Sequence, residues 1–273
     1  MIKIADKKIG FIGCGNMGKG ILKGMIESKL IPADNITVYN RSIKSRDSIS
    51  QAFGNNSASS AAEIAKIADI IIVGVKPNII RYILRAIRDL IKPSAILVSI
   101  AAGVTIKTIE LALKDGCKVV RVMPNIPSLV NEGMSSITPN KHVKKEETAL
   151  ISKIFRSFGK AEVIPEHIIH AVIAVSSSSP AYVFMLIEAM VDIAVLAGMS
   201  KSQSYLFAAQ AVVGSAKMVL ETGKHLSALK DMVCSLNGTT MEAVKVLEEK
   251  EFRATVMAAM QCCIKKSNNM SIE

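Results

Sequence analysis

The chain has 273 residues, half of them hydrophobic, with 8 Pro and 16 Gly, a composition that excludes a disordered or fibrous protein and fits one large or two modest domains. Lys plus Arg number 34 against 23 Asp plus Glu, a net charge of +11; scattered as singles and pairs, they argue against a nucleic-acid-binding stripe and fit equally small phosphorylated or carboxylated partners and a merely solvated basic surface. The five cysteines form no C-x-x-C, and the N-terminus lacks a charged-then-apolar leader, so a reducing cytoplasm is the expected location.

Short apolar runs alternate with helical stretches over residues 1–165, the pattern of a doubly wound parallel sheet. Strands are expected at Lys8 to Ile12, Ile36 to Tyr39, Asp69 to Val75, Ala95 to Ile100 and Lys118 to Val122. Helices are expected at Asn16 to Ser28, Ser60 to Ile67, Asn78 to Leu90 and Thr105 to Leu113. After Pro165 the β-branched runs give way to Ala, Met and Leu at helical spacing, so residues 166–273 read as a wholly helical domain.

Within that half, Ala181 to Met199 is apolar but interrupted by Glu188 and Asp192, four residues apart and therefore on one helical face. It reads as an amphipathic helix rather than a membrane span, and with no His or third carboxylate beside the pair no metal site is expected. Leu206 to Leu220 carries a single charge and many small residues. A helix apolar around most of its circumference must be covered, and about 100 residues offer too little interior, so a homo-oligomeric interface is inferred.

Directly after the first strand stands Gly13-Cys14-Gly15-Asn16-Met17-Gly18, a G-x-G-x-x-G in a strand, turn, helix context. The first glycine allows the tight turn, the second lets backbone approach a pyrophosphate, and the third lets the helix pack closely, with the anion at its N-terminus. An NAD site would place Asp or Glu at the end of the second strand, yet the chain reads Tyr39-Asn40-Arg41-Ser42. No carboxylate is there to repel a 2′-phosphate, and an arginine with two short polar groups can hold one, so NADPH is favoured, with NADH possible at lower preference. Cys14 sits at a variable position of the motif with no second cysteine placed to resolve a disulfide, and reads as structural.

Near the C-terminus, Thr239 and Glu242 have the spacing of a capping box, so a helix begins at Ser235-Leu236-Asn237-Gly238-Thr239-Thr240. A small carboxylate could rest on the N–H groups around Gly238 to Thr240 and on the Ser235 hydroxyl. The same spacing also fits an ordinary capped helix.

Taken together, GFIGCGNMG, VYNRS, VGVKPN, SIAAGVTI, RVMPNIPSLVNEG, SSPAYVF, DMVCSLNGTTMEA and FRATVMAAM give a chain that resembles the pyrroline-5-carboxylate reductases from about residue 8 to 260. The resemblance implies hydride transfer from NADPH to the C=N carbon of (S)-1-pyrroline-5-carboxylate, giving L-proline. It also implies an N-terminal Rossmann-type domain followed by an all-α dimerisation domain, with dimers assembling further into rings such as decamers.

By motif, the resemblance implies that Gly13, Gly15, Asn16, Met17 and Gly18 line the diphosphate and that Asn40, Arg41 and Ser42 hold the 2′-phosphate. Val75, Lys76, Pro77, Ala101, Ala102, Gly103, Met123, Pro124 and Asn125 complete the cofactor side. All these segments follow strands, where open α/β sheets bind ligands. For Lys76 a cofactor-side place, not an acid's, is implied. Ser235, Asn237, Gly238, Thr239 and Thr240 bind substrate in this reading, with the Thr240 hydroxyl on the ring nitrogen as the catalytic contact. His142, His167, His170 and His225 are expected at the surface or in packing.

Four departures from the family pattern bear on substrate fit. Ser177-Ser178-Ser179 stands where a glycine-rich segment is usual, Leu236-Asn237 replaces Pro-Gly, Leu226 replaces a proline, and Ala61 lies near the place of an asparagine. Asn237 tolerates left-handed backbone angles and can keep the loop's shape. The alternatives are a reductase of another imine or oxo-acid, as among the β-hydroxyacid dehydrogenases, and a non-catalytic NADP-binding paralogue. The former use a lysine on the long helix that here, from Pro180 to Ala194, contains none.

Overall fold

The computed structural model describes residues 4–272. Its first half is β1 (Ile9–Ile12), α1 (Asn16–Glu27), β2 (Ile36–Tyr39), α2 (Ile43–Phe53), β3 (Asn56–Ser57), α3 (Ala61–Ile67), β4 (Ile70–Val73), α4 (Pro77–Ile87), β5 (Ile96–Ser99), α5 (Ile106–Glu110), β6 (Lys118–Met123), β7 (Gly133–Pro139), α6 (Lys145–Arg156) and β8 (Gly159–Val163). The strands form one sheet in the order β3-β2-β1-β4-β5-β6-β7-β8. The six from β3 to β6 are mutually parallel, whereas β7 runs antiparallel to β6 and β8 parallel to β7. The expected parallel sheet thus holds for its first six strands and ends in a reversed pair.

Helices cover both faces, so the central strands are buried on either side and alternate residues feed two cores. Phe11, Val38, Ile70, Ile72 and Val98 pack with Ile21, Leu22 and Met25 of α1 and Ile151 and Phe155 of α6. Ile71, Val73 and Leu97 pack with Ile64 of α3, Ile80, Leu84 and Ile87 of α4, and Ile109 of α5. The caps are local: Ser42 accepts from Ser45 N, Ser60 from Glu63 N and Thr105 from Thr108 N, while Pro77 opens α4.

The remainder is helical: α7 (Ile169–Val172), a π-helical turn Ile173–Ser177, α8 (Ser179–Leu196), α9 (Lys201–Thr222), α10 (Leu226–Val233), α11 (Thr239–Glu249) and α12 (Phe252–Ile272). Packing divides the chain later than residue 165. One compact unit runs to Ser177 and takes back the chain from Ile264 onward; the other is Ser178–Cys263. Ile169 and Ala174 are fully buried. The buried Arg121 guanidinium donates to Glu166 Oε1 at 2.8 Å, and His170 Nδ1 bonds Ser267 Oγ at 2.8 Å. These contacts tie residues 166–177 and the end of α12 to the sheet.

Within the second unit α8 is not amphipathic in the expected sense. Only Val191 is buried, and Phe184, Met185, Leu186, Ile193 and Leu196 are exposed, as are Leu206, Phe207, Val219 and Leu220 of α9. An isolated chain therefore leaves apolar helix surface uncovered, the condition that marks an interface.

Candidate functional site

The strand order reverses between β2 and β4 on either side of β1, which makes the carboxyl end of β1 the switch point at which open α/β sheets bind ligands. Gly13 takes φ 84°, and a Cβ there would lie 2.7 Å from Val75 Cγ1. Gly74 is equally tight, since a Cβ on it would stand 2.5 Å from the Gly13 carbonyl oxygen. The turns after β1 and β4 thus lie against one another. Gly15 is the N-cap of α1, no side chain caps that helix, and the space where a Cβ would stand is open. A backbone cradle without side-chain cover at a helix N-terminus is what a pyrophosphate requires.

Asn40 is placed by this turn, but its carboxamide is spent inside the protein. Its Oδ1 accepts from Cys14 N at 2.6 Å, and its Nδ2 donates to Cys14 O at 3.3 Å and to Ser45 Oγ at 2.9 Å. Through these bonds the Asn40 side chain shapes the glycine turn. Arg41 and Ser42 are exposed just before α2, and among the described residues Arg41 forms no ion pair. Arg46, further along α2, donates to Ala58 O and lies 5.9 Å over the Tyr39 ring. Sequence reasoning missed Ser45, which anchors Asn40, while Lys44 stands exposed in the first turn of α2.

Burial pushes the Cys14 thiol up to about 12, with Lys19 opposing the shift. A thiol this protonated is neither nucleophile nor redox centre at neutral pH. Lys76 is the exposed N-cap of α4, and Val75 and Pro77 flank it. Ala101 is buried and Gly103 takes φ 76° in the turn after β5. Met123 ends β6 and Pro124 is buried beyond it. Asn125 is also buried, and its carboxamide, like that of Asn40, is committed to the chain. Its Oδ1 accepts from Met134 N at 2.8 Å, and its Nδ2 donates to Ser176 O at 3.2 Å and Ser176 Oγ at 3.3 Å. This side chain braces the end of β6 against Ser176 and Met134.

In the second unit, Asn237 takes the left-handed angle φ 54°, as expected for its place in the loop. The capping box does not form. Gly238 is the N-cap of α11, Thr239 its first residue, and no side chain caps the helix. Gly238 N instead donates to Ser235 O at 3.0 Å. The N–H groups of Thr239 and Thr240 lie in the first turn, which has no intrahelical acceptor, and a Cβ on Gly238 would collide with Ser235 Oγ. Leu226 is the first residue of α10, whose N-cap His225 accepts from Ser227 N, so the missing proline costs that helix start no bond. Ala61 opens α3 under the Ser60 cap.

Comparison with known proteins agrees with this division of parts. Residues 166–270 match the family described as pyrroline-5-carboxylate reductase dimerisation, and residues 8–103 match the family described as NADP oxidoreductase coenzyme F420-dependent. The chain is 57% identical over 266 residues to pyrroline-5-carboxylate reductase of Escherichia coli, covering 97% of this chain and 99% of the relative. It is also similar to the solved pyrroline-5-carboxylate reductase of Coxiella burnetii, with TM-score 0.90, 32% identity and coverage of 97% and 98%. The solved pyrroline carboxylate reductase of Plasmodium falciparum with NADP bound gives TM-score 0.89, 33% identity and coverage of 98% and 99%. With the glycine turn, the carboxylate-free end of β2 and the uncapped start of α11 in place, and with identity at this level along nearly its whole length, the chain belongs to the pyrroline-5-carboxylate reductase family.

Proposed function

We infer that this chain reduces (S)-1-pyrroline-5-carboxylate to L-proline with NADPH, the last step of proline biosynthesis. The observation that carries the reading is the Gly13 turn at the switch point beside a β2 end that offers Arg41 and no carboxylate. When bound, NADPH supplies the hydride. The residues proposed to receive its diphosphate are Gly13, Gly15, Asn16, Met17 and Gly18, through backbone N–H groups, with Arg41, Ser42 and Lys44 taking the 2′-phosphate. Val75, Lys76, Pro77, Ala101, Ala102, Gly103, Met123 and Pro124 would wall the rest of the cofactor side.

The substrate carboxylate is assigned to the N–H groups of Gly238, Thr239 and Thr240 and to the Ser235 hydroxyl, with Asn237 keeping the turn. An anion at an uncapped helix start gains from the dipole and from unpaired donors together. The Thr240 hydroxyl is assigned to the ring nitrogen. An imine accepts hydride far better when protonated, and a hydroxyl bonded at that nitrogen keeps the proton oriented as positive charge disappears. Most of the acceleration then comes from orientation in a dry cleft.

The chain forms a homo-oligomer through its helical half. The exposed apolar run that would by length and composition suit a membrane, Glu166–Leu196, lies within that dimerisation match. Assembly into a decamer and a cytoplasmic location are proposed further, the latter because all five cysteines are free thiols.

The test follows cofactor oxidation by the purified protein with pyrroline-5-carboxylate, using NADPH or NADH. Strong NADPH-dependent turnover that falls at least about tenfold in Thr240→Ala and is largely kept in Thr240→Ser is expected. Cofactor binding without turnover would sink the proline-synthesis reading.

A further inference from the structure

Between α7 and α8 the helix is broken by the π-helical turn Ile173–Ser177, and Pro180 follows in the first turn of α8. Were the chain an unbroken α-helix, the Ser176 carbonyl would accept from the N–H of residue 180. Proline has none. The next amide is also engaged, since Ala181 N donates to Ser178 O at 3.1 Å. A carbonyl at such a break must find its hydrogen elsewhere.

It finds it on Asn125. The Asn125 carboxamide donates from Nδ2 to Ser176 O and Oγ and accepts at Oδ1 from Met134 N, with the residue itself buried. We propose that Asn125 is a positioning residue whose amide replaces the hydrogen that Pro180 cannot give, fixing the helix break at Ser176 to the carboxyl end of β6. The role needs a donor and an acceptor on one short planar group. An ionised aspartate offers only acceptors, and leucine of similar shape offers neither.

The consequence for turnover rests on the reductase reading above. Met123 and Pro124, two and one residues before Asn125, belong to the proposed cofactor wall, and Ser177 to Ser179, directly after Ser176, are where this chain departs from the family's glycine-rich pattern. Asn125 holds Ser176, and through it the adjoining Ser177, to the end of β6, so its loss should lower the rate of hydride transfer while leaving cofactor affinity intact.

The experiment compares wild type with Asn125→Asp and Asn125→Leu from pH 8 to pH 6, measuring kcat and KM with pyrroline-5-carboxylate, NADPH affinity by fluorescence, and Tm. At pH 8, N125D sets a carboxylate against the Ser176 carbonyl. We expect kcat to fall at least about tenfold, as for a lost buried hydrogen bond, with the Kd for NADPH within about twofold of wild type. On acidification the aspartic acid regains an O–H to donate, so kcat and Tm of N125D should climb relative to wild type, whereas N125L should show no such climb. A pH profile of N125D parallel to wild type overturns the proposal. So does a fall in NADPH affinity matching the fall in kcat, which would make Asn125 a direct cofactor contact.

Should N125D fail to fold, the double variant N125L/P180A decides, because Pro180→Ala restores an amide hydrogen next to the Ser176 carbonyl. Recovery of Tm over N125L supports the role, and no recovery overturns it. Wild-type turnover measured alongside separates this outcome from a failure of the reductase reading, since the Tm comparisons hold whatever the substrate is.

Discussion

Asn40 and Cys14, 26 residues apart in sequence, close on each other by two hydrogen bonds, from Cys14 N to Asn40 Oδ1 at 2.6 Å and from Asn40 Nδ2 to Cys14 O at 3.3 Å. The glycine turn is thereby set from the side by the end of β2. The side chain beside Arg41 thus holds the loop proposed to receive the diphosphate. Asn40→Ala removes both bonds and leaves a backbone N–H at the turn unpaired, at about 1–3 kcal/mol. The expected result is an NADPH Kd raised about tenfold to a hundredfold by fluorescence titration, with NADH affinity falling by a similar factor because the diphosphate turn serves both.

Arg41 should act differently. Its guanidinium is exposed and forms no ion pair among the described residues, and the proposed function assigns it to the 2′-phosphate alone. Arg41→Ala is expected to lower kcat/KM for NADPH by about tenfold to a hundredfold, the range of a charge-assisted hydrogen bond. The value for NADH should stay within about twofold. Equal loss with both cofactors would remove Arg41 from the 2′-phosphate site.

Gly24 of α1 lies directly on Phe158, and a Cβ at position 24 would overlap the Phe158 Cβ. That atom cannot rotate away, so Gly24→Ala forces backbone to move. A destabilisation of about 1–3 kcal/mol is expected, seen as a lowered urea midpoint with an unchanged slope. An unaltered midpoint would mean that α1 can shift freely over the sheet.

His170 has its pKa lowered from the usual imidazole value, chiefly by burial and then by the Arg121 guanidinium, with Glu166 opposing. The unfolded chain binds that proton more readily than the folded one. The corresponding stability is therefore fully present above about pH 6.5 and is lost as pH falls through the lower folded value. Urea midpoints at pH 7.5 and pH 5 should differ more for wild type than for His170→Gln, which keeps a polar group toward Ser267 without titrating. Equal differences would show that the His170 and Ser267 contact is insensitive to charge.

Much of the nucleotide-binding half is legible in the sequence because its strands are buried on both faces. Ile36–Tyr39 falls where its apolar run places it, and β1, β4, β5 and β6 lie within two residues of their expected ends. β7 is not legible. It buries Ser135, Ser136 and Thr138, so it has neither an apolar run nor alternation, and with it the reversal of the sheet edge goes unseen. α2 is mostly polar, with only Ile49 buried, and β3 is two residues long.

The site shows a similar divide. The glycines, Arg41 and the Ser235 to Thr240 loop follow from local chemistry. The engagement of Asn40 with Cys14 and of Asn125 with Ser176 and Met134 depends on partners brought near only by the fold. Spacing along a chain cannot say whether an amide faces a ligand or a neighbour. The cap of α11 failed for a related reason: Thr239 is inside the helix rather than before it, so a hydroxyl and a carboxylate at the right interval closed no box.

The bare helices of the second unit make the protein's lifetime a matter of copy number. A chain that leaves Phe184, Leu196 and Phe207 in water gains stability when a second chain covers them, so apparent stability rises with protomer concentration. During synthesis the sheet can collapse around its own two cores, while α8 and α9 must wait for an encounter. Dilution therefore acts on the surface that α8 and α9 leave exposed.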